Sequence, residues 1–269
     1  MVPNATPLAT VVIPTLDRSQ ELESCQKSLE AQKGVPHEAV EVILIKERGP
    51  LAQLRNQGLS QARAPVVSFI DDDVVCSPTW LSSLLRVFRE SPQVMGVTGP
   101  AIIPESSRPN RDIYRFRSLT WAYTTLFVYP EYRPGHLTTA GTFVPTPDYS
   151  YQGSVQFLEA CNMSFRTEAL KAVGGFDEAY GGIGDWSEPD CAFRLRQRYG
   201  NDCLWFSPDA RLEHHPSRGG AYLFRDADAR QRLDNYRLFA SRWVPPTLRH
   251  RLYRAFLTGY YAWKQCSAQ

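Results

Sequence analysis

The sequence predicts an α/β fold: a mostly parallel central sheet flanked by helices, followed by a helical C-terminal extension. Two observations lead there. Four short apolar runs, ATVVIPT (9–15), AVEVILIK (39–46), PVVSFID (65–71) and VMGVTGP (94–100), have the length of buried strands. The segments between them carry helical patterning of about 10–15 residues, which implies parallel pairing through right-handed crossovers. At 269 residues and 43% apolar content the chain has ample material for a core.

The elements follow in order. The first strand ends at Pro14. RSQELESCQKSLEAQ (18–32) sets Leu22, Cys25 and Leu29 on one helical face, and Gly34 and Pro36 stop it. LAQLRNQGLSQARA (51–64) reads as a helix weakened by Gly58, and the third strand runs directly into three carboxylates. Ser77 as N-cap and Pro78 at the first helical position predict the next helix, with Leu81, Leu84, Leu85 and Phe88 as its apolar stripe. Residues 101–154 show no clear period and suit a long loop or a pair of short antiparallel strands. SVQFLEACNMSFR (154–166) reads as one strand, and TEALKAV (167–173) as a helix capped by Thr167 and closed by Gly174-Gly175. A glycine-rich loop precedes the helix EPDCAFRLRQRYG (188–200); CLWF and ARLEHH are short strands. The final forty or so residues are helical and broken at Pro245-Pro246. The division expected is one domain over 1–222, with a nucleotide-binding half to about residue 100, and a helical extension over 223–269.

Composition excludes several classes. A net charge of +2 with 43% apolar residues argues against disorder and against a nucleic-acid binder. No apolar run approaches the roughly 20 residues of a membrane span, and the N-terminus lacks the pattern of a signal peptide. The six cysteines are scattered with no C-x-x-C, which predicts free buried thiols and a cytosolic protein. The sequon at Asn162 falls in a core strand and the other lies at Asn4.

Asp71-Asp72-Asp73 is the most informative feature. Ligands of open α/β sheets bind beyond the carboxyl ends of the strands, where this triplet falls. Three adjacent carboxylates repel one another and resist desolvation, and a hard divalent cation, Mg²⁺ or Mn²⁺ bridging to a diphosphate, relieves both costs. Glu188 and Asp190 form a second acidic pair at a helix N-terminus, where the dipole keeps a carboxylate ionised as a base requires; Ser187-x-x-Asp190 also nearly matches a capping box. His214-His215 ends a predicted strand, where a histidine serves as a structural hydrogen-bonder or, beside a cation held by the aspartates, as a ligand that suits Mn²⁺ tolerably. Lys46, Arg48 and Arg55 lie near the second strand's end, able to neutralise phosphates or to form a solvated face. The Arg- and Tyr-rich tail suits a packed amphipathic helix and leaves room for peripheral membrane contact. The Rossmann, P-loop, zincin and nucleophile-elbow signatures are all missing.

Taken together, TVVIPTLDR, LRNQGLSQARAPVVSFIDDDVV, ACNMSFRTEALKAVGGFDEAYGGIG, EPDCAFRLR and SPDARLEHH resemble glycosyltransferase family 2 over about residues 9–215. The resemblance implies a GT-A fold and inverting transfer from a nucleotide-sugar donor to a sugar-containing acceptor. It places Pro14, Thr15 and Asp17 beside the nucleotide and makes the triplet the family's D-x-D element. Asp71 then approaches the ribose or sugar with Asp72 beside it, Asp73 binds the Mn²⁺ or Mg²⁺, and His214 completes the metal site. The carboxylate before the R-x-R helix becomes the general base. Counting back from Arg194, that position is Glu188, with Asp190 the second choice. Many relatives carry paired aspartates after the second strand; this chain has Lys46-Glu47-Arg48, leaving Glu47 as the donor-side carboxylate and the donor open among UDP-, dTDP- and GDP-linked sugars. The competing readings are a sugar-1-phosphate nucleotidyltransferase, disfavoured because TLDRSQE is not a glycine-rich basic loop, and a non-catalytic binding module.

Overall fold

In the computed structural model of the chain, residues 6–16, 18–105, 134–143, 149–216 and 229–267 are described, without the side chains of 229, 257 and 260–267. The first half is built from β1 (Ala9–Pro14), α1 (Ser19–Glu30), β2 (Val40–Ile45), α2 (Leu51–Gln61) and β3 (Val66–Ile70). β1 lies between β2 and β3, parallel to both, and Val12 faces Ile43 on one side and Phe69 on the other. Successive side chains of β1 enter opposite layers, which is why it reads as a continuous apolar run. Val12 joins a core with α2, while Val11 and Ile13 join one with Cys25 and Leu29 of α1. Gly58 is explained by this packing: a Cβ there would lie 2.2 Å from Val12 Cγ1, so α2 approaches β1 more closely than any side chain allows.

The chain continues through β4 (Val74–Cys76), α3 (Trp80–Glu90), β5 (Gly96–Thr98), β6 (Ala101–Ile102), β7 (Gly153–Ser154), β8 (Asn162–Arg166), α4 (Thr167–Ala172), α5 (Ser187–Tyr199), β9 (Leu204–Phe206) and β10 (Leu212–His214). The main sheet has seven strands in the order β2-β1-β3-β8-β5-β9-β7, with β8 and β7 reversed against their neighbours. A second sheet of three strands, β4-β10-β6, lies beside it, with His214 opposite Val74. After it come α6 (Ala229–Trp243) and α7 (Leu248–Ser267), broken at the expected prolines. Leu233, Tyr236, Phe239 and Tyr253 from these helices enter the same core as α2 and α5.

Several local expectations are corrected. The strand predicted for 94–100 forms, but β8 separates it from β3 instead of the two pairing directly. The run 154–166 is not one strand: it breaks between β7 and β8, where Glu159 N–H donates to Thr98 Oγ1 and Asn162 N–H to the Glu159 carbonyl. α3 starts at Trp80, not at Ser77-Pro78, because Ser77 N–H extends the small sheet by donating to the Arg211 carbonyl. Thr167 does not cap α4; its hydroxyl donates to the Ala64 carbonyl at 2.6 Å. The loop at 101–154 is described only in part: Leu137 and Phe143 form an antiparallel bridge, and 106–133 and 144–148 lie outside the described residues. Five cysteines, Cys25, Cys76, Cys161, Cys191 and Cys203, are free and buried. Asn162 is fully buried, holding Trp80 Nε1–H at 2.8 Å and donating to Ala210 O, so it is a structural side chain.

Candidate active site

The carboxyl ends of β1 and β3 open on one edge of the sheet, and because β8 runs the other way its start lies there too, with Ile70 opposite Asn162. The acidic triplet turns at this edge from β3 into β4. Two of its side chains and His214 converge: ligand atoms from Asp71, Asp73 and His214 all lie within 4.8 Å of one another. The small sheet makes this possible. β10 pairs with β4 and His215 N–H donates to the Asp73 carbonyl at 2.8 Å, so the end of β10 is pinned beside the triplet. His214 Nε2 lies 3.3 Å from Asp73 Oδ1, and Nδ1 lies 4.0 Å from the Cys161 thiol. His215 points away, to Glu213 at 3.1 Å.

Asp72 faces the other way. It is fully buried, accepts the Thr15 hydroxyl at 2.6 Å and pairs with Arg18. Arg18 also donates to Asp73 Oδ2 at 2.9 Å, so one guanidinium bridges two of the three carboxylates. Burial pushes the Asp72 carboxyl up to about 6, against the pull of Thr15 and Arg18 and with added push from Asp73 and Asp71. Burial pulls the His214 imidazole down, but its bonds to Asp73 and Cys161 and the charge of Asp71 outweigh this and hold it up at about 11. The cluster thus favours positive charge at His214.

The second acidic pair sits at the start of α5. The chain enters through a glycine loop, and Leu51 N–H donates to the Gly182 carbonyl at 3.0 Å, tying the loop to α2. Trp186 at the N-cap has φ of 71°, the sole non-glycine positive φ among the described residues. A bulky residue held there costs on the order of 1–2 kcal/mol, and its indole shows what over-determines it: Nε1–H donates to Gly141 O at 2.8 Å and the ring packs on Phe143 and Tyr236. No capping box forms at Ser187.

Glu188 and Asp190 have separate surroundings. Arg55 of α2, 1% exposed, donates to Glu188 Oε1 at 2.5 Å and to the Ala160 carbonyl at 3.2 Å, and lies over the Phe176 ring. Glu188 Oε2 accepts no hydrogen bond among the described residues. Asp190, fully buried, accepts from Tyr180 Oη, Arg194 Nε, Arg242 Nη1 and Trp243 Nε1 at 2.8–3.2 Å. The last two belong to α6, so Asp190 fastens the C-terminal helices to α5. Asn56, next to Arg55, binds the Phe176 backbone through both amide atoms at 2.8 Å, which locks α2 to the segment before the glycine loop.

The acidic cluster and Glu188 are neighbours. Ala160 accepts from the guanidinium that grips Glu188, and Cys161, the next residue, touches His214. Consecutive α-carbons are about 3.8 Å apart, so a single turn of backbone before β8 walls both groups.

Of the residues singled out from sequence, Asp71, Asp73 and His214 meet, with Thr15 at their back through Asp72; Pro14 ends β1 beside them. Glu47 is exposed on the loop after β2 and accepts from Gln57 Nε2 at 2.7 Å. Arg55 faces Glu188 rather than the cluster. Asp17 lies outside the described residues. Sequence reasoning did not single out Arg18, Cys161 or the α6 pair Arg242-Trp243. Arg18 carried a readable signal, a lone cation just past the first strand of a sheet whose third strand ends in three aspartates.

A seven-stranded α/β sheet with an acidic turn at its carboxyl edge and a carboxylate-bearing helix beside it has the architecture of GT-A folds. The model of glycosyl transferase family 2 matches residues 46–174, a span that contains the triplet and stops short of Glu188 and His214. Over that span the chain matches glycosyl transferase family 2, which supports a glycosyltransferase. Among solved structures it is similar to the mannosyltransferase PcManGT from Pyrobaculum calidifontis, in complex with GDP-Man and Mn²⁺, at 17% identity and TM-score 0.57, covering 97% of this chain and 73% of that one. It is also similar to S. aureus TarS 1-349 in complex with UDP-GlcNAc, at 13% identity and TM-score 0.59, covering 96% and 72%. At these identities the likeness is one of fold. No curated protein sequence matches the chain.

Proposed function

We propose that this glycosyltransferase moves a sugar from a nucleoside-diphosphate sugar to an acceptor hydroxyl in a single inverting displacement, with Glu188 as general base and a divalent cation at Asp71, Asp73 and His214. The observation that carries this reading is the convergence of those three ligands within 4.8 Å, one backbone residue away from the carbonyl that shares Arg55 with Glu188. Two carboxylates and an imidazole fit Mn²⁺ well and Mg²⁺ less so, since Mg²⁺ favours all-oxygen surroundings. When bound, such an ion neutralises the diphosphate as charge builds on its bridging oxygen.

The protein's own groups account for the remaining steps. Arg18 sits between Asp72 and Asp73 and keeps Asp73 aimed into the site. Thr15, bonded to Asp72, holds the end of β1 where a nucleotide has to pass. Arg55 fixes Glu188 through Oε1 and leaves Oε2 to take the acceptor proton. As that O–H bond breaks, the acceptor oxygen forms its bond to the anomeric carbon, the bond from that carbon to the phosphate oxygen breaks, and the nucleoside diphosphate leaves. On this reading Asp190, satisfied by four donors, is an anchor and not a base. The donor base stays open among uracil, thymine and guanine: Glu47 is engaged by Gln57, and structures of similar fold hold GDP-Man in one case and UDP-GlcNAc in another.

The test is a panel of UDP-, dTDP- and GDP-sugars with Mn²⁺ and sugar acceptors, read by nucleoside-diphosphate release and by NMR of the anomeric linkage. An inverted linkage is expected. Glu188→Gln is expected to bind donor as the wild type does and to lose transfer by about 10²–10⁴-fold, the worth of a general base. A retained configuration, or a Glu188→Gln enzyme that turns over normally, overturns the proposal.

A further inference from the structure

One side of α7 packs on α6, and three large apolar side chains of the same helix are exposed. At about 100° per residue, positions 250 and 253 share one side of the helix, and there His250 and Tyr253 pack edge-on against Tyr236 of α6 at 6.3 and 5.8 Å between ring centroids. Positions 248, 252 and 256 recur every fourth residue on the other side. Leu248, Leu252 and Phe256 there are 72%, 57% and 60% exposed. Isolated exposed leucines need no explanation, but three large apolar side chains in register along one helix form a continuous ridge.

The charges beside the ridge name its occupant. The segment 248–267 contains three arginines and one lysine and no acidic residue. Arg249 and Arg251 fall on opposite flanks of the ridge by helical position, and both are exposed, as is Arg254. An apolar ridge lined on both sides by guanidinium groups complements a surface that is anionic at one depth and hydrocarbon just below it. The arginine stems lie along the apolar boundary while their heads reach phosphates. Among the described residues no helix is long and apolar enough to cross a membrane, so the contact lies in the interface plane.

We propose that α7 docks this protein on anionic membrane surfaces, with Leu248, Leu252 and Phe256 inserted at the headgroup boundary and Arg249 and Arg251 on the lipid phosphates. The inference stands independently of the transfer mechanism. Its test is co-sedimentation of the full chain with vesicles of phosphatidylcholine alone or mixed with phosphatidylglycerol. The wild type is expected to bind the mixed vesicles, and salt is expected to weaken that binding. The double variant Leu252→Ser/Phe256→Ser is expected to lose affinity by about tenfold or more. Arg249→Glu/Arg251→Glu keeps the ridge and is expected to lose the preference for anionic lipid by a similar factor. Both should melt like the wild type, since all four side chains are exposed. Failure of the wild type to bind mixed vesicles at low salt overturns the proposal, as does binding that neither variant reduces. A concentration-dependent dimer broken by Leu252→Ser/Phe256→Ser, with no vesicle binding, also overturns it and assigns the ridge to a second copy of the chain.

Discussion

The two acidic corners of the site differ in where their positive charge comes from. At the start of α5, each carboxylate has its cation built in: Glu188 has Arg55, and Asp190 has Arg194 and Arg242. At the end of β3, three carboxylates crowd one turn, Arg18 bridges two of them, and Asp73 and Asp71 hold the His214 imidazole pKa up. The first arrangement is rigid and self-sufficient, and removing a partner leaves an unpaired buried charge. The second has room for a movable cation, and a carboxylate lost there removes binding capacity more than structure. Electrostatic state therefore separates the part of the site that is permanent from the part completed by substrate, although both are equally acidic in sequence.

The largest effect expected from this contrast is at Arg55. Arg55→Ala leaves Glu188 buried without its partner and should lower folding stability by about 3–5 kcal/mol, read by urea denaturation. Arg55→Lys restores the charge but not the second donor to Ala160, so it should recover part of the stability and little of the transfer rate. If Arg55→Ala melts like the wild type, the corner is not self-sufficient in the sense described.

The opposite behaviour is expected at Asp73. Asp73→Asn should change the stability of cation-free protein by only about 1 kcal/mol or less, the scale of an ordinary substitution. Mn²⁺ at a hundredfold excess over its dissociation constant should stabilise the wild type by about 2.7 kcal/mol, and Asp73→Asn should abolish that gain. Equal Mn²⁺ shifts in the two proteins would place the ion elsewhere.

How far these features were legible in the sequence depends on how local their causes are. β1, β2 and β3 were readable because strand length and apolar continuity are written in consecutive residues. The insertion of β8 between β3 and β5 was not, because it rests on pairing Val67 with Phe165 across nearly a hundred residues. Ser77 and Thr167 looked like helix caps by local rule, yet tertiary partners, the Arg211 and Ala64 carbonyls, claimed their polar groups. The acidic triplet was readable as a candidate cation site because mutual repulsion is a property of adjacent carboxylates. Arg55 was read as a phosphate contact or part of a solvated face because its sign was visible and its partner, 133 residues away, was not. Gly58 looked like a flaw in a helix until the proximity of Val12 supplied its reason.

The smallest effect tests whether the self-sufficient corner depends on the C-terminal helices that brace it. Arg242 and Trp243 hold Asp190 from α6, and α7 covers α6 through His250, which is 7% exposed and has no hydrogen-bond partner on either ring nitrogen among the described residues. Burial, with help from the charge of Arg254, lowers the imidazole pKa below its usual 6.5; Tyr236 is a ring that faces it. The unfolded chain then takes up this proton more readily than the folded one. The contribution of a neutral His250 is accordingly complete above about pH 6.5 and is lost as pH falls through the depressed folded value, at no more than about 1.4 kcal/mol per pH unit. Denaturation midpoints of the wild type and His250→Phe should therefore run parallel above neutrality and diverge below pH ~6.5, with the wild type losing stability faster. Parallel curves down to about pH 5 would mean that the imidazole finds a partner when charged, and that the brace over Asp190 does not respond to acid.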